Sequence, residues 1–236
     1  MMTGKNLHRQ MLDEFGHAIV TGVYPPGHRT TVRELEERYG VSRSVAREVV
    51  RVLESLRLVR SSTKVGLTVT APSEWAMLAP EVIRWRLDSP GKAFQLKTLT
   101  ELRRGIEPAA ARYAAARVTW QQLEELRSSA AEMKRLGEAG EGDSAAFLAA
   151  DIRFHAALLA ASGNEMLAAL EETITAILTG RNELGLTPPH PAAENLDNHA
   201  ELADALADGD VARAERLATA IVDVVAHEVV QPATAG

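Results

Sequence analysis

Asp151 and His155 stand four residues apart in Asp151-Ile-Arg-Phe-His155, so on a helix a carboxylate and an imidazole project from one side, a turn apart. Ile152, Phe154, Leu158 and Leu159 beside them demand burial, which turns the polar pair inward. A carboxylate oxygen and a ring nitrogen so placed can hold one divalent ion such as zinc, and His199 offers a third ligand from a later helix. Spacing by itself favours a buried Asp–His hydrogen bond without an ion, and for His199 alone a place on a helix surface. A second set of chemistry-bearing residues lies near the N-terminus. Ser42 stands where a helix N-cap belongs, and Arg43, Ser44 and Arg47 occupy the first turns that follow. Arginine can grip guanine bidentately and hydroxyls can bond phosphate or base edges, which is major-groove chemistry.

Two kinds of element must position these groups. Residues 29–60 read as two short helices joined at Gly40-Val41, with Leu35, Tyr39, Val45, Val49, Val52, Leu53 and Leu56 inward at helical spacing. A bare helix-turn-helix pattern also fits many helical hairpins, but residues 58–70 alternate as strand, polar tip and strand, which is a wing. Lys64 and Gly66 at its tip can meet phosphate and allow close backbone approach. An opening helix is expected over 7–21, with Leu12, Phe15, Ile19 and Val20 inward, stopped by Gly22-Val-Tyr-Pro-Pro-Gly27. After a connector in which Trp75, Met77, Leu78 and Trp85 are expected to pack between domains, six amphipathic helices follow over 94–117, 119–137, 143–161, 164–184, 192–208 and 210–230. Pro108 inside the first should kink it.

The fold class expected is therefore mainly α: a winged helix-turn-helix domain over 1–72, a connector over 73–93, and an all-α six-helix bundle over 94–236. Charge divides along the same line. Residues 1–70 hold 11 Lys+Arg against 7 Asp+Glu, and the remainder holds 15 against 25. A basic head on an acidic body suits a protein that meets phosphate with one end. With no cysteine, disulfides and thiolate metal sites are excluded. No signal-peptide layout and no membrane-length apolar run is present, so a cytoplasmic protein without a membrane partner is expected.

The run PPGHRTTVRELEERYGVSRSVAREVVRVLESLRLV resembles the winged-helix domain of GntR-type bacterial regulators. The resemblance implies operator double-stranded DNA as partner, with Arg33, Ser42, Arg43, Ser44, Arg47 and Gly66 at the contact. The wing departs from the family pattern, because Lys64 takes the place of the first of two glycines. The second half resembles the helical effector domain (FCD) of the FadR-type branch, through Glu101-Leu-Arg103 with Glu107-Pro-Ala-Ala, Asp151-Ile-Arg-Phe-His155, Ser162-Gly-Asn164 and Asn198-His199-Ala-Glu-Leu. That implies a metal on Asp151, His155 and His199, completed by a small carboxylate. The family's fourth ligand, a last histidine, falls in register near Ile221, and His227 lies too far along. The resemblance assigns the effector's charge to Arg103, which alternatively pairs with Glu107 as an i, i+4 ion pair.

Asn164, Arg181 and Asn182 are candidates for further effector contacts, although Asn164 fits a helix cap as well. The connector and the missing last histidine are similar to repressors of sugar-acid operons, implying galactonate or gluconate. Together these readings predict a homodimeric repressor, not an enzyme, released from DNA by the acid. The competing expectation is a metal-dependent helical enzyme, with Asp151, His155 and His199 activating water and Glu107 as base.

Overall fold

The computed structural model describes residues 4–230, and the side chains of residues 6–224. His227 lies outside the residues whose side chains are described. The chain divides into two compact units, Met1–Lys92 and Ala93–Gly236.

The first unit opens with α1 (Gly4–Val20), which buries Met11, Phe15 and Ile19. After β1 (Arg29–Thr30) comes α2 (Val32–Tyr39), whose start is a reciprocal cap: Thr31 Oγ1 accepts from Glu34 N, and Glu34 returns a carboxylate to Thr31 N at 2.8 Å. Gly40, at φ +61°, makes the turn into α3 (Arg43–Ser55). The buried face of α3 is Ala46, Val49, Val50 and Leu53, while Val45 and Val52 are only half-buried. The stripe is thus turned slightly from the expected one while keeping the i, i+3, i+4, i+7 spacing.

Strands β2 (Val59–Ser62) and β3 (Gly66–Val69) form the wing, antiparallel, with Val59 opposite Val69 and Ser62 opposite Gly66. A third strand, too short to show in the sequence pattern, completes the sheet in the order β1-β3-β2. Gly66 has φ +80°, and a Cβ there would lie 2.6 Å from the Thr30 carbonyl oxygen, so packing against β1 already demands glycine.

The expected connector is largely part of this unit. Following a short 3-10 turn (Pro72–Glu74), α4 (Pro80–Leu87) lies on α1. Trp75, Val82 and Trp85 are buried in the core with Phe15 and Ile19, with Met77 packed against it. Trp85 sits so tightly on α1 that a Cβ on Gly16 would fall 2.3 Å from its ring. Asp13 pairs with Arg84 and accepts from Trp85 Nε1 at 3.2 Å. The tryptophans therefore serve the core of the first unit. Trp85 donates to Asp13 and Trp75 Nε1 to the Thr70 carbonyl oxygen at 3.4 Å, so each indole N–H is satisfied within that core.

Among the described residues the regular elements of the second unit are all helices: α5 (Lys92–Ala114), α6 (Trp120–Glu138), α7 (Ala145–Ala161), α8 (Glu165–Ala168), α9 (Glu171–Glu183), α10 (Ala193–Ala207) and α11 (Val211–Val230). All six expected segments are helical, but the fourth breaks at Ala169–Leu170, where no glycine or proline announces it. Helix α5 stays a single helix through Pro108. Pairs α6/α7, α10/α11, α6/α10 and α7/α9 pack most closely. The α9–α10 loop is clasped by the α6–α7 loop: Gly142 N donates to Pro189 O at 2.8 Å, and a Cβ on Gly142 would meet Pro188 O at 2.4 Å. Among the described residues no helix is long and apolar enough to cross a membrane.

Candidate functional site

On the first unit, α3 carries its polar residues outward because its apolar stripe is committed to α1. Ser42 caps the helix by accepting from Val45 N at 3.4 Å and shares a 2.9 Å hydrogen bond with Ser44. Arg43, Ser44 and Arg47 are exposed, and among the described residues neither arginine has an ion-pair partner. Arg33, on α2, instead pairs with Glu37 at 3.0 Å, its side chain 86% exposed, so water already screens the pair and phosphate could displace it. Lys64 is exposed on the wing turn.

On the second unit, a cavity of about 40 Å³ is lined by Arg103 from α5, Asp151 and His155 from α7, Arg181 from α9, Asn195 and His199 from α10, and Ile221 from α11, among others. Apolar spacing explains the convergence. On α5, Leu96, Leu99, Arg103, Glu107, Ala110 and Ala114 form one buried stripe, so the charged pair rides on the core face. On α7, Phe147, Phe154 and Leu158 draw Asp151 and His155 inward in the same way.

Arg103 is 1% exposed and engages Glu107 with two nitrogens, Nε to Oε1 at 2.6 Å and Nη2 to Oε2 at 3.2 Å. The i, i+4 ion pair is therefore real, yet it leaves Nη1 buried without a partner. Nη2 also lies 3.1 Å from His155 Nε2. His155 is set between carboxylates, Nδ1 at 3.1 Å from Glu107 and Nε2 at 3.2 Å from Asp151. Burial opposes its charge, but Glu107 and then Asp151 outweigh burial and the opposing Arg103, and raise its pKa to about 9. Burial likewise opposes ionisation of Glu107, and the Arg103 and His155 charges hold its carboxyl well below the usual range. For Asp151 burial is outweighed by His155, so its pKa is also lowered. His199 moves the other way: burial, then the neighbouring His155 charge, push it down to about 4.

One oxygen of Asp151 and one nitrogen each of His155 and His199 all lie within 4.8 Å of one another. His199 Nδ1 faces the Asn195 carbonyl oxygen at 2.7 Å, which fixes the ring, while its Nε2 is buried without a partner. An imidazole anchored through one nitrogen with the other left open is how a metal-ligating histidine is held. The residues present thus fit a divalent ion, whose binding would displace the proton that His155 otherwise holds, and Ile221 at the cavity wall leaves the site with three protein ligands and room for others.

The remaining expected residues are placed elsewhere. Asn164 caps α8, its Oδ1 accepting from Met166 N at 3.0 Å, and Asn182 donates to the Asp143 carbonyl at 3.2 Å. Neither lines the cavity. Arg181 does, and Glu107 stands behind it as the partner of Arg103. Sequence reasoning passed over Asn195, although its position four residues before His199 places it on the same helix face.

Residues 7–69 match the family model for bacterial regulatory proteins of the gntR family, and residues 98–224 match that for the FCD domain. The chain is 32% identical to the galactonate operon transcriptional repressor of Escherichia coli over 211 residues, 88% of this chain and 90% of that protein. It is 29% identical to the transcriptional regulator LutR of Bacillus subtilis, over 84% of this chain and 89% of that one. Among solved structures, Lar of Listeria monocytogenes superposes with a TM-score of 0.66 at 16% identity, covering 98% of this chain and 97% of that chain. McbR/YncC of E. coli gives 0.55 at 21%, covering 98% and 99%.

Proposed function

The chain belongs to the gntR family of bacterial regulatory proteins, in the branch with an FCD domain, and from that premise we propose that it is a homodimeric repressor released from its operator by a sugar acid such as galactonate or gluconate. The family's proteins are transcriptional regulators, so an enzymatic reading has no support, and Glu107, locked in its ion pair, is not placed as a base. Two basic heads would enter successive major grooves of a pseudo-palindromic site through Arg43, Ser44 and Arg47, with Arg33, Ser42, Lys64 and Gly66 at the backbone.

The observation that carries the effector reading is Arg103, a guanidinium fully removed from water, with Nη1 unpartnered at a cavity wall. Such a donor calls for an anion. Asp151, His155 and His199 would hold a divalent ion, which supplies Lewis-acid attraction for carboxylate oxygens. Arg103 orients the acid, Glu107 holds Arg103 in place, and the clasped α9–α10 loop excludes water. The 32% identity to a galactonate operon repressor supports the sugar-acid class.

A ligand displaces the equilibrium only by its differential affinity for the two states, so tenfold weaker operator binding requires about 1.4 kcal/mol of coupling. The test is retention of fragments of the protein's own upstream region at rising salt, with and without galactonate or gluconate. Salt-sensitive binding relieved by the acid is expected. Binding indifferent to every acid would refute the effector, and no salt-sensitive binding would refute the whole reading.

A further inference from the structure

The same cavity holds an acceptor that a carboxylate cannot serve. Asn195 lines it from α10, and while its backbone carbonyl is engaged by His199 at 2.7 Å, its side-chain Oδ1 is shut off from solvent with no hydrogen-bond partner. Buried acceptors are rarely left unmade, because desolvation is not repaid until something donates. An ionised carboxylate only accepts, so it can satisfy Arg103 Nη1 but not Asn195.

An effector that displaces water from this cavity must therefore bring a donor as well as an anion. Space restricts where the donor can sit. A cavity of about 40 Å³, on a scale where about 10–15 Å³ holds one water, has room for roughly three waters' worth of atoms, little beyond a carboxylate and the adjoining carbon. The donor then belongs on that carbon. An ammonium would add a cation to a cavity already lined by Arg103 and Arg181, whereas a hydroxyl donates without charge.

We propose that Asn195 Oδ1 accepts a hydrogen bond from the 2-hydroxyl of a 2-hydroxycarboxylate, and that this contact lets the cavity select hydroxy acids over plain ones. The inference rests on the reading of the cavity as a carboxylate sensor and names the part of the effector that it reads. The rest of a six-carbon acid would have to displace Thr187, Pro188 and Pro191, which also line the cavity and belong to the α9–α10 loop. The 2-hydroxycarboxylate head is common to short hydroxy acids and to aldonic acids, so short probes suffice.

The experiment is calorimetric titration of the full-length protein with glycolate against acetate, and with gluconate, for wild type, Asn195→Leu and Asn195→Ala. Wild type is expected to bind glycolate at least tenfold tighter than acetate, since a site built around a ligand hydroxyl discriminates strongly against its absence. Both variants should bring glycolate to within twofold of acetate, leave acetate where it was, and keep operator affinity and bound-metal content unchanged. The less bulky alanine separates loss of the acceptor from obstruction by leucine. A glycolate preference that survives in both variants, or a wild type indifferent to the hydroxyl, overturns the proposal. Loss of metal from both variants overturns it too, by making Asn195 a metal ligand. If wild type binds none of the three acids, the carboxylate-sensor reading fails first and this inference with it.

Discussion

Truncating Arg103 alone will confuse sensing with stability, and the size of the confusion follows from the structure. Arg103 and Glu107 are both fully buried and joined by two hydrogen bonds. Removing Arg103 leaves the buried Glu107 carboxylate with His155 alone beside it, and breaking a buried pair in this way costs about 3–5 kcal/mol. At roughly 2–4 °C per kcal/mol for a unit of this size, Arg103→Met should lower the midpoint of thermal unfolding by roughly 6–20 °C. Replacing both charges with neutral groups of similar shape removes that penalty, so Arg103→Met with Glu107→Gln should recover most of the loss while still lacking the anion donor. The assay is thermal unfolding by circular dichroism on the wild type, both single variants and the double variant, followed by operator binding of the double variant with and without sugar acid. The double variant is expected to hold DNA and ignore the acid. If Arg103→Met costs less than 1 kcal/mol, or the double variant is no better than the single, the buried pair is not what holds this region together. If the double variant still releases DNA normally, the anion site is elsewhere.

Arg47→Ala should weaken operator binding by about 1–3 kcal/mol, measured by fluorescence anisotropy, with effector affinity unchanged. Loss of effector binding in that variant would contradict the separation of the two sites. Gly16→Ala gains about 1 kcal/mol of helix propensity but must push a rigid indole aside, at about 1–3 kcal/mol, so calorimetry should find the first unit no more stable and its tryptophan emission shifted. A clear stabilisation would mean α4 is not seated as described. Ile221→His places an imidazole at the cavity wall and should raise zinc affinity at least tenfold in a competition titration; unchanged affinity would put Ile221 out of reach of the ion. In metal-free protein, His199 is neutral when folded until about pH 4 but takes a proton near 6.5 when unfolded, so stability falls as pH drops between those values. His155, raised to about 9, contributes the opposite limb, lost as pH rises from 6.5. His199→Phe should flatten the acid limb alone in urea titrations across pH, and an unaltered acid limb would assign it to other groups.

Local rules were enough to read the helix-turn-helix and wing of this protein. Thr31, Glu34, Gly40 and Ser42 write their own caps and turn, and the period-2 alternation of residues 58–70 writes the wing. The helical spacing of Asp151 and His155, and of Arg103 and Glu107, likewise placed each pair on one helix face before any fold was known. Such features depend on residues within about four positions of one another, which is the range over which a helix or turn is decided.

What needed three dimensions involves partners far apart in the chain. Trp85 finds Gly16, and a two-residue strand finds Gly66, because a void and a free backbone edge in one segment are filled by another. Asn164 and Asn182 are drawn into capping and a loop contact, while unremarked Asn195 comes to the cavity wall. From the sequence alone these three asparagines are alike, since a polar side chain's role depends on which neighbours satisfy it. For Arg103 the sequence offered an ion pair or an anion donor as alternatives, and the folded geometry holds the pair while leaving one nitrogen over. Residue types and spacing thus determined which chemistry this chain carries; only close packing across six helices decided which atoms are spent on the fold and which are left for a ligand.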